Sequence, residues 1–293
     1  MGNVARACCV SLDVDDPVPR HRLHSRIGDN HATFEALAQA LRHSGLESCN
    51  LIVGIDVTKS NETSGRNTYG GQSLHWIPPP NFAGDTCAVN IPFRLDDAQV
   101  NPYRKCIRFV GEALAHMDED GWIPAFYFGD VLTKHQSVRS FAPESARGCR
   151  GFEDVLARYE AQVPNLTLSG PTSFEPLINE ALRIVQETKD FHVLLIVADG
   201  QVSDRGRDAA AIVRASQYPL SIIVVGVGDG PWDTMRTFDD QLPERCFDNF
   251  QFVVFEDVMR LALAHPYPST QFALQCLMEV PDQFQAIKAL GYL

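Results

Sequence analysis

Short stretches that are apolar at consecutive positions recur along the chain, separated by longer segments in which apolar residues return every three or four places. Asn50–Ile55, Ile123–Phe128, His192–Ala198, Leu220–Val227 and Phe250–Phe255 are the short stretches. Runs of six to eight residues without strict alternation fit strands buried on both faces. Helical spacing predicts helices over Thr33–His43, Tyr103–Met117, Phe152–Val163, Phe174–Lys189, Arg207–Ser216, Trp232–Leu242 and Val258–Ala264. Gly45 stands where the first helix needs a stop, and Val138–Phe141 reads as a short edge strand. Residues 61–101 form a long excursion rich in Asn, Gly and Pro.

Strands in alternation with helices imply a parallel sheet covered on each side by helices. The expected fold class is therefore α/β: a doubly wound, mostly parallel six-stranded sheet of Rossmann-like type with helices on both faces. Ligands of such sheets bind beyond the carboxyl ends of the strands, where the winding reverses. Those ends carry the chemistry to weigh.

Two strand ends and one loop before a helix carry it. Asp56-Val57-Thr58-Lys59-Ser60 closes the first apolar run with a carboxylate and two hydroxyls at alternate positions. Thr172 lies in Ser169-Gly170-Pro171-Thr172-Ser173, just before a helix, and Asp199 ends the run Val193–Ala198. Hard oxygen donors of this kind suit magnesium or manganese. Asp, Thr and Ser also cap helices and loops, so the first segment alone says little. Two strand-end aspartates near one another, however, carry unopposed charge unless a cation or proton intervenes. Asp56, Thr58, Ser60, Thr172 and Asp199 are read as one divalent-metal site.

Composition narrows the function classes. The 293 residues are 45% hydrophobic and 21% charged, enough for a substantial core. A formal net charge of −12 and no basic stripe argue against nucleic acid as a partner. Apolar runs of about six residues fall short of the roughly 20 that span a bilayer. The eight cysteines contain no C-x-x-C pair, so no zinc ribbon or cross-brace can be drawn from them. Free thiols in a reducing compartment are expected, with Cys49, Cys106 and Cys276 as packing residues and the chain intracellular, in cytoplasm or nucleus.

The D-x-T-x-S, G-P-T-S-F and A-D-G segments resemble the metal-ion-dependent adhesion site of von Willebrand factor A domains, in the variant found in copines. Longer strings, among them NLIVGIDVTKSN at 50–61, HVLLIVADGQVSD at 192–204 and YPLSIIVVGVGDGPWDTM at 218–235, are similar to those of copine-related plant RING domain ubiquitin ligases. The resemblance runs from Ile27 to the C-terminus. It implies a flexible tail over 1–26 and one copine-type A domain over 27–293, with an N-terminal helix, an inserted loop at about 78–100 and a C-terminal helical extension.

The resemblance also implies roles. Thr58 and Ser60 would offer hydroxyls to Mg or Mn, with Thr172 joining from the second loop, while Asp56 and Asp199 act through bound water. One position would remain for a carboxylate from a protein partner. The expected function is thus metal-dependent recognition of an acidic residue, with no general base or nucleophile and so no metal-assisted hydrolysis. By family analogy the alternative is a ubiquitin-protein ligase, or a component working with the ubiquitination machinery. The last forty residues hold only Cys276, so no RING and no intrinsic ligase activity are expected, and the segment before residue 30 is too short for a copine lipid-binding domain.

Met1-Gly2 followed by Cys8-Cys9 resembles a dual acylation signal, although Arg6 stands where Ser or Thr is usual. Membrane association, as a tethered scaffold, is expected only if Gly2 and Cys8 or Cys9 are acylated. The loop at 78–100 either covers the binding face or is a tolerated surface insertion. Asp130 is read as support for the metal site or as a loop cap. The histidines are taken as surface or packing residues. Gly226-Val227-Gly228-Asp229-Gly230 lacks a dinucleotide-binding register and is read as a tight strand-to-helix turn, with Pro231 in the first helical turn.

Overall fold

The computed structural model describes residues 33–46, 49–78, 100–114, 120–200, 202–242, 245–262 and 268–293. The predicted tail at 1–26, its acylation sites Gly2, Cys8 and Cys9, and nearly all of the inserted loop at 78–100 lie outside them. Helix α1 (Phe34–Ser44) is capped by the Thr33 side chain and stopped by Gly45 at φ 82°. Strand β1 (Asn50–Asp56) follows, then α2 (Pro102–Leu114), β2 (Trp122–Ile123), β3 (Ala125–Phe128), β4 (Arg139–Ser140) and β5 (Cys149–Arg150). The chain continues through α3 (Gly151–Gln162), α4 (Glu175–Thr188), β6 (His192–Ala198), α5 (Arg205–Ala215) and β7 (Leu220–Gly226). Helix α6 (Asp233–Asp240), β8 (Phe250–Val254), α7 (Phe255–Ala262), α8 (Pro268–Leu277) and α9 (Val280–Ala289) complete it.

The main sheet has six strands in the order β4-β3-β1-β6-β7-β8, parallel except for β4. This is the doubly wound architecture expected from the alternation of strands and helices. Period-two geometry splits each strand between two cores. Leu51, Val53, Ile55, Val193, Leu195 and Val197 face α1, α2, α3 and α7–α9. Ile52, Leu194, Ile196, Ile222 and Val224 face α4, α5 and α6. Each fully buried Leu, Ile or Val contributes roughly 1.5–3 kcal/mol, so both faces of the sheet are strongly specified.

Several boundaries differ from the sequence reading by one to three residues, among them the following three. The run Ile123–Phe128 is broken at Pro124, which has no N–H to give a ladder; Trp122–Ile123 instead pairs with β5 in a separate two-stranded sheet. Pro124 still accepts from Val53 N at 2.9 Å through its carbonyl. Helix α7 begins at Phe255, three residues earlier than its spacing indicated. Pro231 precedes α6, which starts only at Asp233, because the Trp232 ring packs against Phe252 at 5.5 Å and over Gly200 and Gly226 before the helix can begin. The C-terminal extension consists of α8 and α9. Phe272 of α8 packs on Phe109 and Phe255, and Phe284 of α9 on Phe191, so the extension completes the first core.

Helix α4 lies close over β1 because Gly54 has no side chain. A Cβ there would stand 2.1 Å from Leu177 Cδ2. Gly54→Ala should cost about 1–3 kcal/mol by overpacking in denaturant unfolding. Adding Leu177→Ala should recover part of it, and strictly additive losses would show that the two residues do not compete for the same space.

Candidate metal centre

The winding reverses at β1, since β3 lies on one side of it and β6 on the other. The register pairs Ile55 with Val197, which brings Asp56 and Asp199 to the same end of the sheet. Both are fully buried. Burial, and then the negative charge of Asp199, push the Asp56 carboxyl well above the usual carboxylate range, only partly offset by hydrogen bonds from Thr58. Asp56 Oδ1 accepts from Thr58 N at 2.8 Å, whereas Oδ2 has no hydrogen-bond partner among the described residues.

Hydroxyls surround this pair. Thr58 Oγ1 lies 3.1 Å from Ser60 Oγ and accepts from Thr172 Oγ1 at 3.0 Å. The loops are tied together by backbone. Thr58 bridges Ser169, Lys59 N donates to Ser169 O, and Ser169 N donates to Gly129 O. Gly129 is required at this seam: at φ 96° its absent Cβ would meet Thr58 Cγ2 at 2.2 Å. Thr172 is held from the other side by Ser203, through Ser203 N to Thr172 O at 2.9 Å and Thr172 N to Ser203 Oγ at 3.2 Å. Asp208 accepts from Ser173 Oγ, Phe174 N and Glu175 N, which caps α4 and fixes the same loop.

All five residues singled out in the sequence therefore line one cup. Its donors are two carboxylates and three hydroxyls. Among the described residues no group of three or more His, Cys, Asp or Glu is positioned for a metal, so the cup is distinct in kind from a zinc site. An all-oxygen donor set with an unpartnered buried carboxylate oxygen fits a hard divalent cation.

Sequence reasoning missed the layer behind the cup. His75 Nε2 lies 2.8 Å from Asp56 O, and Nδ1 lies 2.8 Å from the Tyr159 hydroxyl. A carbonyl only accepts, so Nε2 carries the proton and Tyr159 donates to Nδ1. Burial lowers His75 to about 4, which keeps the ring neutral in this role. Tyr103 stacks on His75 at 4.0 Å and donates to Asn61 Oδ1, while Asn61 Nδ2 donates to Thr58 O. Asn61 directly follows the D-x-T-x-S motif, the one signal that would have found it; His75 lies in the excursion with no periodicity to mark it. Asp130 is a loop cap, accepting from Leu132 N, Thr133 N and Thr133 Oγ1.

The fold and the cup define a doubly wound α/β domain with a hydroxyl-rich acidic site at its switch point. A family model described as Copine matches residues 93–293, and the chain belongs to the copine family. It is 48% identical over 290 residues to E3 ubiquitin-protein ligase RGLG5 of Arabidopsis thaliana, covering 94% of this chain and 62% of that protein. E3 ubiquitin-protein ligase RGLG2 of the same plant is 45% identical, with 97% and 59% covered. Copine family protein 2 of Caenorhabditis elegans is 45% identical over 263 residues, 89% of this chain and 3% of that one. The chain thus spans about three fifths of the length of the plant relatives. Among solved structures, von Willebrand factor type A from Catenulispora acidiphila aligns with 80% of this chain and 43% of its own at TM-score 0.43 and 14% identity. The manganese-loaded TRAP protein of Plasmodium vivax aligns with 73% and 72% at TM-score 0.43 and 11% identity.

The turn at 226–230 buttresses the cup at a distance, as the sequence indicated for a strand-to-helix turn. Asp229 accepts from Asn67 N, Thr68 N and Thr68 Oγ1, and Asp229 N donates to Ser64 O. Ser64 Oγ in turn donates to Asp199 Oδ2 at 2.9 Å. Glu256 accepts from Gly228 N, and burial raises its carboxyl from 4.5 to about 7. A raised carboxyl stabilises the fold below its ordinary value and loses that contribution as pH rises through the folded value. Stability should therefore drift down from this group between about 4.5 and about 7 by a few kcal/mol at most. In Glu256→Gln the drift should be smaller over the same window, as read by urea unfolding at stepped pH; an unchanged slope would show that Glu256 does not titrate there.

Proposed function

We propose that the cup formed by Asp56, Thr58, Ser60, Thr172 and Asp199 binds Mg2+ or Mn2+ and, through it, an acidic residue of a protein partner. The observation that carries this reading is Asp56 Oδ2, a buried carboxylate oxygen with no hydrogen-bond partner among the described residues, beside a second buried acid. Two such charges cost several kcal/mol unless something opposes them. Thr58, Ser60 and Thr172 would hold the ion by their hydroxyls, while Asp56 and Asp199 supply charge and orient the water around it. A divalent cation in this place offers a Lewis-acidic position to which a carboxylate can attach. The chain's own part is rigidity: His75 and Asn61 fix the backbone of Asp56 and Thr58 before any ligand arrives.

Residues 27–293 would act as one such recognition domain, in a reducing compartment in which Cys49, Cys106, Cys149, Cys246 and Cys276 stay free thiols. Titration calorimetry of the chelator-treated protein should show magnesium or manganese binding that weakens at least about tenfold, or 1.4 kcal/mol, in Asp56→Ala and in Thr172→Ala. Both variants should keep the circular dichroism of the parent. Metal binding of unaltered affinity in the two variants would remove these residues from the site.

A second reading draws on the plant relatives, which are named as E3 ubiquitin-protein ligases. Under it this chain contributes substrate recognition to ubiquitination. In a reconstituted ubiquitination assay the isolated chain should be inactive without a separate RING subunit. Ubiquitin transfer by the chain alone would make it a ligase in its own right and displace the recognition reading.

A further inference from the structure

At the opposite end of the sheet, where β1 and β6 begin, lies a cavity of about 420 Å3 under the last turns of α4. That volume falls in the range of pockets that hold small groups. Leu51, Phe126 and Ile184 supply apolar lining, and Trp122 stands at one wall. His192 lies in the lining as well and is only 3% exposed. It projects to the α4 face, because it alternates with Leu194 and Ile196, which pack there.

Three independent features of this cavity select for a cation. First, His192 Nδ1 lies 2.9 Å from Asp190 O. The carbonyl can only accept, so Nδ1 is the protonated nitrogen and Nε2 presents a lone pair that makes no hydrogen bond among the described residues. Burial lowers His192, which keeps it in this neutral, accepting form. Second, the rim carries Asp120, Glu180, Glu187 and Asp190 against two cations, Arg147 and Arg183. Arg147 pairs with Asp120, and Arg183 bonds Glu180 at 2.8 Å and Glu187 at 2.5 Å, so the rim keeps a net negative charge and Asp190 is the acid outside these pairs. Third, α4 ends at Thr188, so the negative pole of a 14-residue helix points at the cavity mouth.

The wall also indicates which cation. The Trp122 ring already carries the guanidinium carbons of Arg147 and Arg150 at 4.9 and 5.1 Å, so an incoming group is recognised by hydrogen bonds and charge. A planar guanidinium can donate to His192 Nε2 and to a carboxylate at once, which a compact ammonium does less well. We propose that the cavity is a second, metal-independent docking site, which takes an arginine side chain from a basic segment of a protein partner.

The test is nuclear magnetic resonance of the whole labelled chain in chelator, titrated with acetyl-Ala-Arg-Ala-amide and with the same peptide carrying citrulline, a neutral isostere of arginine. The arginine peptide should shift the Trp122 indole and His192 ring signals to saturation, and the citrulline peptide should bind at least about tenfold more weakly. The double variant Glu187→Gln and Asp190→Asn changes only exposed rim residues, so the fold should persist while arginine binding weakens by a similar factor. His192→Phe should abolish the difference between the two peptides, whereas Asp56→Ala should leave binding unchanged. Absence of saturable shifts, equal response to arginine and citrulline, or indifference to the rim variants would overturn the assignment.

Discussion

Two carboxylates held out of water at the point where the sheet changes direction set the terms for the loops around them. Asp56 and Asp199 are brought together by parallel pairing of β1 with β6, and that pairing is itself fixed by apolar side chains on both faces. The hydrophobic effect forces the acids into proximity, and local chemistry must then absorb the repulsion. Hydroxyls do part of this, with Thr58, Ser60 and Thr172 in one chain of contacts and Ser64 on Asp199. Neutral groups do the structural part, since a charged His75 behind Asp56 would need a counter-ion in a place that offers only a carbonyl and a phenol. Burial keeps that ring uncharged.

Much of this was legible in the residues. The strands announce themselves because they are buried on both sides and so are apolar at nearly every position; the expected bounds His192–Ala198 match the strand. Asp56, Thr58, Ser60 and Asp199 lie at the ends of such strands, so locating those ends located them, while Thr172 was marked by its place before a helix. What could not be read has a common cause. His75, Tyr103, Tyr159 and Asn61 come from separate parts of the chain and meet only after folding. No period links them, and a histidine in a Gly- and Asn-rich excursion looks like solvent-facing loop. The break at Pro124 was visible as a residue type, yet the apolar run outweighed it in the reading.

Asp130 and Asp208 show how a strand-end or helix-end acid is assigned once geometry is known. Asp130 spends its Oδ1 on Leu132 and Thr133, and Asp208 accepts three hydrogen bonds at the start of α4. Asp56 differs in its surroundings: its Oδ1 accepts from Thr58 N, and burial together with the charge of Asp199 raises its carboxyl. The distinction is the second buried acid, which meets Asp56 only after folding.

Helix α4 joins the two ends of the molecule. Thr172 and Ser173 precede its first turn, while Glu187 and Thr188 close its last, so a rigid element of about 21 Å runs from the cup to the far cavity. A helix packed this tightly over Gly54 moves, if it moves, as a body. Because this helix is one rigid body, the spacing between the two ends is fixed, and a partner that engaged both would have to span about that length.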